Sequence, residues 1–282
     1  MSANEELIKR WRVSAPFWEK HHEVIRQMFA PITQALIADA EIKTGNKVLD
    51  VSTGSGEPGL TIAALVGAEG NVVAVDPASE MIAGARRTAD RLGLKNIKFE
   101  VASADQLAFS DGMFDAAVCR FGAMFFPSPV DGVREILRVL KPGRKIALAV
   151  WSFAESNSFH YALSKVIDRF VDPTPPASES SDAFRFAKPG KLLDVLSRAG
   201  AVNPTDRVLK FTIRAPLSGE EFWTLRCEMS EMLRERIATL SHEKKMEVKH
   251  LALEVFREYS TDSGISFPAE VLIVSGARKL AG

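Results

Sequence analysis

The chain is predicted to fold as a doubly wound α/β domain with a mostly parallel sheet. Three features predict this. Between Lys47 and Trp151, short β-rich runs alternate with helical stretches. The first run, Val48–Val51, leads into a glycine-rich turn that opens a helix. The second run closes on an acid, Asp76. Strands alternating with helices run parallel and are joined by crossover connections.

The elements follow in order. A helical stretch over 16–40 carries Trp18, Ile25, Met28, Phe29 and Ile32 at helical spacing, interrupted by Pro31. The strands are expected at Val48–Val51, Val72–Asp76, Ile97–Val101, Phe114–Cys119 and Lys145–Trp151. Helices are expected at Thr61–Val66, Ser79–Leu92 and Val130–Leu140, the last stopped by Lys141-Pro142-Gly143. Beyond Trp151 the rhythm loosens. Phe159–Val171 and Lys188–Ala199 read as helices, the second ending at Gly200, a common residue after a helix C-cap. Asp172–Asp182 reads as a Pro- and Ser-rich loop, and Val208–Ile213 as a strand. Residues 218–260 carry two apolar stripes, one through Leu225, Met229, Met232, Leu233, Ile237 and Leu240 and one through Met246, Leu251, Val255 and Phe256. They predict a helical hairpin before a final strand, Ala269–Ser275. The organisation expected is one domain: an N-terminal helical lid over 1–45, a Rossmann-like core over 46–213 plus 265–282, and a helical insertion over 214–264.

Composition narrows the function classes. Of 282 residues, 46% are hydrophobic and 26% charged, ordinary for a globular domain. Lys plus Arg and Asp plus Glu number 36 each, so no overall charge favours nucleic acid or an anionic membrane. Cys119 and Cys227 lack metal-site spacing and are too few for a disulfide framework. The charged segment Met1–Arg12 lacks the apolar run of a signal peptide, and no segment has the apolar length of a membrane span. A cytoplasmic chain, monomeric or homodimeric, acting on a small molecule without a metal, is the expectation.

The chemistry concentrates in Asp50-Val-Ser-Thr-Gly54-Ser-Gly56-Glu-Pro-Gly59. Glycines there permit unusual backbone angles and let a ligand lie against the main chain. Asp76, at the end of the second strand, is placed to accept from both hydroxyls of a ribose. Together these predict an adenosine-containing ligand at the carboxyl ends of the strands. Gly54-x-Gly56-x-x-Gly59, with Asp76 about 20 residues on, also matches the dinucleotide fingerprint, so a nicotinamide- or flavin-dependent oxidoreductase is a rival. Against it, Asp50 precedes the loop, where a carboxylate attracts an ammonium group and repels a pyrophosphate. Asp105, in Ala104-Asp105-Gln106, can accept from an adenine amino group.

Five motifs occur in order: Leu49–Gly56, Val75-Asp76-Pro77 through Met81, Ala104-Asp105-Gln106, Phe121–Phe126, and Val139–Gly143. Residues 45–152 thereby resemble the class I, UbiE-like (type 11) small-molecule methyltransferases, which use S-adenosylmethionine and release S-adenosylhomocysteine. The resemblance implies a seven-stranded sheet of the methyltransferase type and roles for matching positions. Asp50, Ser52, Thr53, Gly54, Ser55 and Gly56 would hold the methionine part. Asp76 would hold the ribose, with Pro77 and Met81 bordering the adenine and Ala104, Asp105 and Gln106 facing its edge. Arg120 and Phe121 would lie near the donor's amino group and sulfonium. Ser52 departs from the family, which usually has glycine there.

Outside these motifs, Phe17 and Trp18 are candidates to close over the cofactor. His21 and His22 are candidate general bases. Phe125, Trp151, His160, Tyr161, Trp223 and Met229 are candidate acceptor contacts, with Met232 beside them on the insertion. Methyl transfer from a sulfonium is a direct displacement, which needs alignment and exclusion of water more than a conspicuous catalytic side chain. The Met, Phe and Trp content of 151–187 and 218–260 points to an apolar or aromatic acceptor. A methyltransferase-like protein that binds the cofactor without turnover is a third reading.

Overall fold

The parallel strands are built from β-branched runs that can be buried on both faces. In the computed structural model, which describes residues 3–172 and 182–280, all eight strands join one sheet. They are β1 Lys47–Val51, β2 Asn71–Asp76, β3 Ile97–Val101, β4 Phe114–Arg120, β5 Leu140–Trp151, β6 Val202–Ala215, β7 Ser260–Thr261 and β8 Gly264–Ala277. Val48, Leu49 and Val51 of β1 and Val72–Val75 of β2 are buried without alternation, as expected of strands covered on both faces. The order is β3-β2-β1-β4-β5-β8-β6, with the short β7 beside β8. The pairs from β3 to β5 are parallel, while β8 runs antiparallel between β5 and β6. The chain reverses its winding between β1 and β4, so the carboxyl end of β1 faces the crevice where such sheets bind ligands.

Eleven α-helices are described: α1 Ala3–Lys20, α2 His22–Met28, α3 Ala30–Asp39, α4 Gly59–Val66, α5 Ser79–Arg91, α6 Pro129–Val139, α7 Ser158–Ile167, α8 Lys191–Arg198, α9 Gly219–Met229, α10 Glu231–Ala238 and α11 His242–Arg257. The helical stretch expected over 16–40 is three helices, and the first begins near the N-terminus. Pro31 sits in the first turn of α3, where its missing N–H costs nothing. Pro16 lies inside α1. The hairpin expected over 218–260 is instead three helices. Ser218, Ser230 and Ser241 each cap the next helix with a side-chain oxygen, Ser218 in a reciprocal box with Glu221. Strands β6 and β8 are longer than expected because they pair with each other along nearly their whole length. Of the expected Asp172–Asp182 loop, 173–181 lie outside the described residues.

Helix α1 crosses the carboxyl ends of the strands and is tied down on both sides. Arg12 pairs with Glu80 at 2.7 Å and Glu19 with Arg87 at 2.6 Å, joining it to α5. Glu228 on α9 receives Lys20 at 2.8 Å and lies 2.5 Å from His21. Exposed pairs of this kind contribute at most about 1 kcal/mol each, so packing carries most of the attachment. Among the described residues no helix is long and apolar enough to cross a membrane. Both cysteines are free thiols, and burial pushes Cys119 up to about 12.

Candidate cofactor and acceptor cleft

The glycine loop between β1 and α4 is shaped by backbone angles that few residues adopt. Gly54 and Gly56 have φ of 57° and 112°. A Cβ on Gly56 would lie 2.6 Å from Leu60 Cδ1, so Leu60 would have to shift, and the φ of 112° strains any other residue there. Ser52, with φ of 57°, and Phe121, with φ of 65°, are left-handed without being glycine. They face each other across the crevice, on the ends of β1 and β4. The Ser52 side chain fits because position 122 is glycine: a Cβ there would meet Ser52 Cβ at 2.3 Å. Strain of this order, roughly 1–3 kcal/mol per residue, persists where surrounding packing fixes it, often at ligand sites.

Two carboxylates hold the loop from below. Asp50 is fully buried; its Oδ2 accepts from Thr53 Oγ1 at 2.6 Å and from Gly59 N at 2.8 Å. Burial lifts its carboxyl to about 7 against these bonds. Its Oδ1 is buried with no partner among the described residues. Asp76 Oδ2 accepts from Gly54 N and Oδ1 from Ala78 N, each at 2.9 Å, and burial lifts it to about 6.

These elements bound a cleft of about 960 Å³ including its open mouth. One end is polar: Ser52–Ser55, Glu57 and Arg120. The middle is Asp76, Pro77, Met81, Ser103 and Ala104. The roof is aromatic and apolar. Leu7, Ile8, Trp11 and Trp18 come from one face of α1, and Phe29, Phe121, Phe125 and Phe126 from the sheet side. Trp11 meets Trp18 and Phe125 edge-on at 5.9 and 5.4 Å, and the Trp18 indole N–H donates to the Met229 carbonyl at 3.3 Å. At the polar end, Arg120 is buried and donates to Thr33 Oγ1 at 3.0 Å. Both oxygens of Glu57 are buried without a hydrogen-bond partner, and the nearest ring nitrogen, His22 Nε2, is 3.6 Å away. A cation and an anion thus face the same cavity and attract each other, and among the described residues neither is closed by a hydrogen-bonded ion pair.

The sheet order separates the two cofactor classes left open by the sequence. A dinucleotide fold continues parallel past β5, whereas here an antiparallel strand is slotted in. Residues 48–143 match the family model of the methyltransferase domain. Over these residues the chain is a methyltransferase domain, with a sheet of the class I, S-adenosylmethionine-dependent type.

The ubiquinone/menaquinone biosynthesis C-methyltransferase UbiE of Pseudomonas fluorescens is 35% identical to this chain over 130 residues, which cover 46% of the chain and 49% of the relative. The chain spans about half the length of the curated relatives it matches first. Among solved structures, the YcgJ protein of Bacillus subtilis shares the fold with a TM-score of 0.56 at 21% identity, covering 89% of this chain and 98% of that one. Phosphoethanolamine N-methyltransferase 2 of Haemonchus contortus, solved with S-adenosylmethionine, does so with a TM-score of 0.54 at 14% identity, covering 93% and 57%.

Of the residues singled out from the methyltransferase sequence, the cleft gathers Trp18, Ser52, Thr53, Gly54, Ser55, Asp76, Pro77, Met81, Ala104, Arg120, Phe121 and Phe125. Asp50 lies beneath the loop, and Gly56 belongs to the loop without lining the cleft. Phe17 turns away, with the Arg234 guanidinium 4.9 Å over its ring. Asp105 and Gln106 do not line the cleft; Ser103 and Ala104 of that turn do. His21 belongs to the α1–α9 clasp, and His22 stands behind Glu57. Trp151, His160, Tyr161, Trp223, Met229 and Met232 also lie outside the lining. The insertion therefore props α1 from behind instead of walling the cleft itself. Sequence reasoning missed Asn4, Leu7, Ile8, Trp11, Phe29, Glu57, Ser103, Gly122, Phe126 and Pro127. Leu7, Ile8, Trp11, Ala15 and Trp18 did carry a signal, a three- and four-residue spacing running unbroken into the helix read as starting at 16.

Proposed function

We propose that this chain transfers the methyl group of S-adenosylmethionine to a carbon of an apolar, aromatic acceptor of the quinone type. One observation carries the reading: a single cleft presents a carboxylate at ribose position, opposite charges at its polar end and an aromatic roof between them. Asp76 accepts from the ribose hydroxyls. Pro77, Met81, Ser103 and Ala104 take the adenine. The amides and hydroxyls of Ser52–Ser55 meet the methionine part, with Glu57 on its ammonium and Arg120 on its carboxylate. In this reading Asp50 acts by holding the loop, and the charge facing the ammonium comes from Glu57. The sulfonium then lies under Phe121 and Trp18, where π-faces favour a cation.

The chain's own part in the reaction is positioning and exclusion of water. S-adenosylmethionine, when bound, would supply the methyl group by displacement at sulfur, leaving a neutral thioether, and the methylated ring carbon would lose its proton to solvent as the ring regains aromaticity. Loss of that charge releases the cation–π attraction and favours product departure. Carbon methylation is taken from the acceptor of the UbiE relatives, and the aromatic roof supports an aromatic ring against the sulfonium. The test is calorimetry with S-adenosylhomocysteine followed by assay with radiolabelled S-adenosylmethionine and hydroquinones. Binding and a labelled methyl group on a ring carbon support the proposal. Donor binding without transfer to any aromatic acceptor favours a non-catalytic cofactor binder.

A further inference from the structure

Helix α2 turns His22, Ile25 and Met28 inward. Ile25 and Met28 are apolar and join the core; His22 is a polar ring that is only 7% exposed. Its Nε2 is buried with no hydrogen-bond partner among the described residues. That nitrogen stands 3.6 Å from Oε1 of Glu57, just beyond hydrogen-bond reach. Both oxygens of Glu57 are in the same condition, buried and unpartnered. A buried polar atom left unpaired is destabilising, so an apolar side chain would complete the stripe of α2 at lower cost. A histidine there answers something other than packing.

The other cations around Glu57 are committed. Arg26, one turn along α2, gives Nε and Nη2 to Glu23 at 2.9 and 2.6 Å. Arg120 attracts Glu57, but its Nη1 goes to Thr33 and it lines the cavity, where the donor's carboxylate needs it. His22 reaches Glu57 from behind: Glu57 lines the cleft and His22 does not. We propose that His22 is the positioning residue for Glu57, its Nε2–H donating to Glu57 Oε1 and holding the carboxylate against the ammonium of the methyl donor. Hydrogen bonds at ligand sites are commonly long before the ligand arrives and tighten with it. The neutral ring suffices. With its proton on Nε2 it supplies a donor and adds no charge, so the whole negative charge of Glu57 is left for the ammonium. The role rests on the reading that Glu57 meets the amino group of S-adenosylmethionine.

The test titrates S-adenosylhomocysteine, and methylthioadenosine, which lacks the amino-acid end, into the full chain by calorimetry. The wild-type chain is expected to prefer S-adenosylhomocysteine. His22→Leu, an apolar match to the rest of the stripe, is expected to weaken S-adenosylhomocysteine about tenfold and to leave methylthioadenosine within about twofold. His22→Gln, whose amide N–H extends about as far as Nε2, is expected to recover most of the loss. In a Glu57→Gln chain, His22→Leu is expected to cost less than about twofold, its partner being gone. Should the Leu variant fail to fold, His22→Asn, whose shorter amide falls short of Glu57, takes its place in each comparison. A wild-type preference that survives loss of the ring, an equal weakening of both ligands, a Gln variant no better than the Leu one, or the same loss in the Glu57→Gln chain overturns the proposal. A wild-type chain that binds methylthioadenosine without preferring S-adenosylhomocysteine removes Glu57 from the ammonium, and His22 with it; one that binds neither refutes the methyltransferase reading itself.

Discussion

Acidification from pH 7 to pH 5 should weaken S-adenosylhomocysteine binding through Asp76. Burial holds this carboxyl at about 6 in the unliganded cleft, although the Gly54 and Ala78 amides oppose the shift. The ribose hydroxyls donate, so they require the ionised form. At pH 7 the site is about nine-tenths ionised; at pH 5 it is about one-tenth ionised, and the cost of removing the proton is about 1.4 kcal/mol, or tenfold in affinity. The sign for stability is opposite. A carboxyl whose pKa is raised by folding binds more protons in the native state. The unliganded protein therefore gains stability as pH falls from about 7 towards 4, and the same direction holds for Asp50 at about 7. Calorimetry from pH 5 to 8, paired with thermal melts, reads both. Asp76→Asn should bind more weakly at pH 7, by up to about 3 kcal/mol for a lost charged hydrogen bond, and should show a flattened pH profile. A wild-type affinity that is level across this range, or an Asn variant with the wild-type slope, would refute the assignment of Asp76 to the ribose.

Three further outcomes are expected. Glu57→Gln should weaken S-adenosylhomocysteine by about 1.5–3 kcal/mol while leaving methylthioadenosine, which lacks the amino-acid end, unaffected; equal losses for both would remove Glu57 from the ammonium. Gly122→Ala should destabilise the fold by about 1–3 kcal/mol through collision with Ser52 and Cys119, and Ser52→Gly in the same chain should recover part of it, the Cys119 contact at 2.7 Å remaining; denaturant melts of the four chains check the coupling, and additive effects would contradict it. Trp18→Phe removes the bond to the Met229 carbonyl and should loosen α1 by about 0.5–1.5 kcal/mol. Hydrogen exchange over 3–20 should rise while the sheet amides stay protected, and unchanged exchange would mean that the indole does not hold the lid.

The strands from β1 to β5 and the loop at 50–59 were legible in the sequence because their causes are local. β-branched runs, a glycine turn and an acid at a strand end each act over a few residues, and their chain order fixes the parallel winding. The resemblance of five ordered motifs added the cofactor class. What the sequence alone left undecided depends on contacts between distant segments. Whether the final strand runs antiparallel between β5 and β6 is a matter of sheet pairing, and that pairing distinguishes this sheet from a dinucleotide fold. Ser52 was legible as a departure from glycine, but its tolerance is set by Gly122 on another strand, 70 residues away. Asp50 reads as a ligand-facing acid until Thr53 and Gly59 are seen to take one of its oxygens from below. The roof falls to α1, and α9 is left to brace it, because α1 reaches both α5 and α9 through Glu19, Arg12, Lys20 and Trp18. A periodic apolar face states that a helix must cover something; only the tertiary structure decides what it covers, because the burial that drives docking is non-directional and the surface it meets is built by residues far away in the chain.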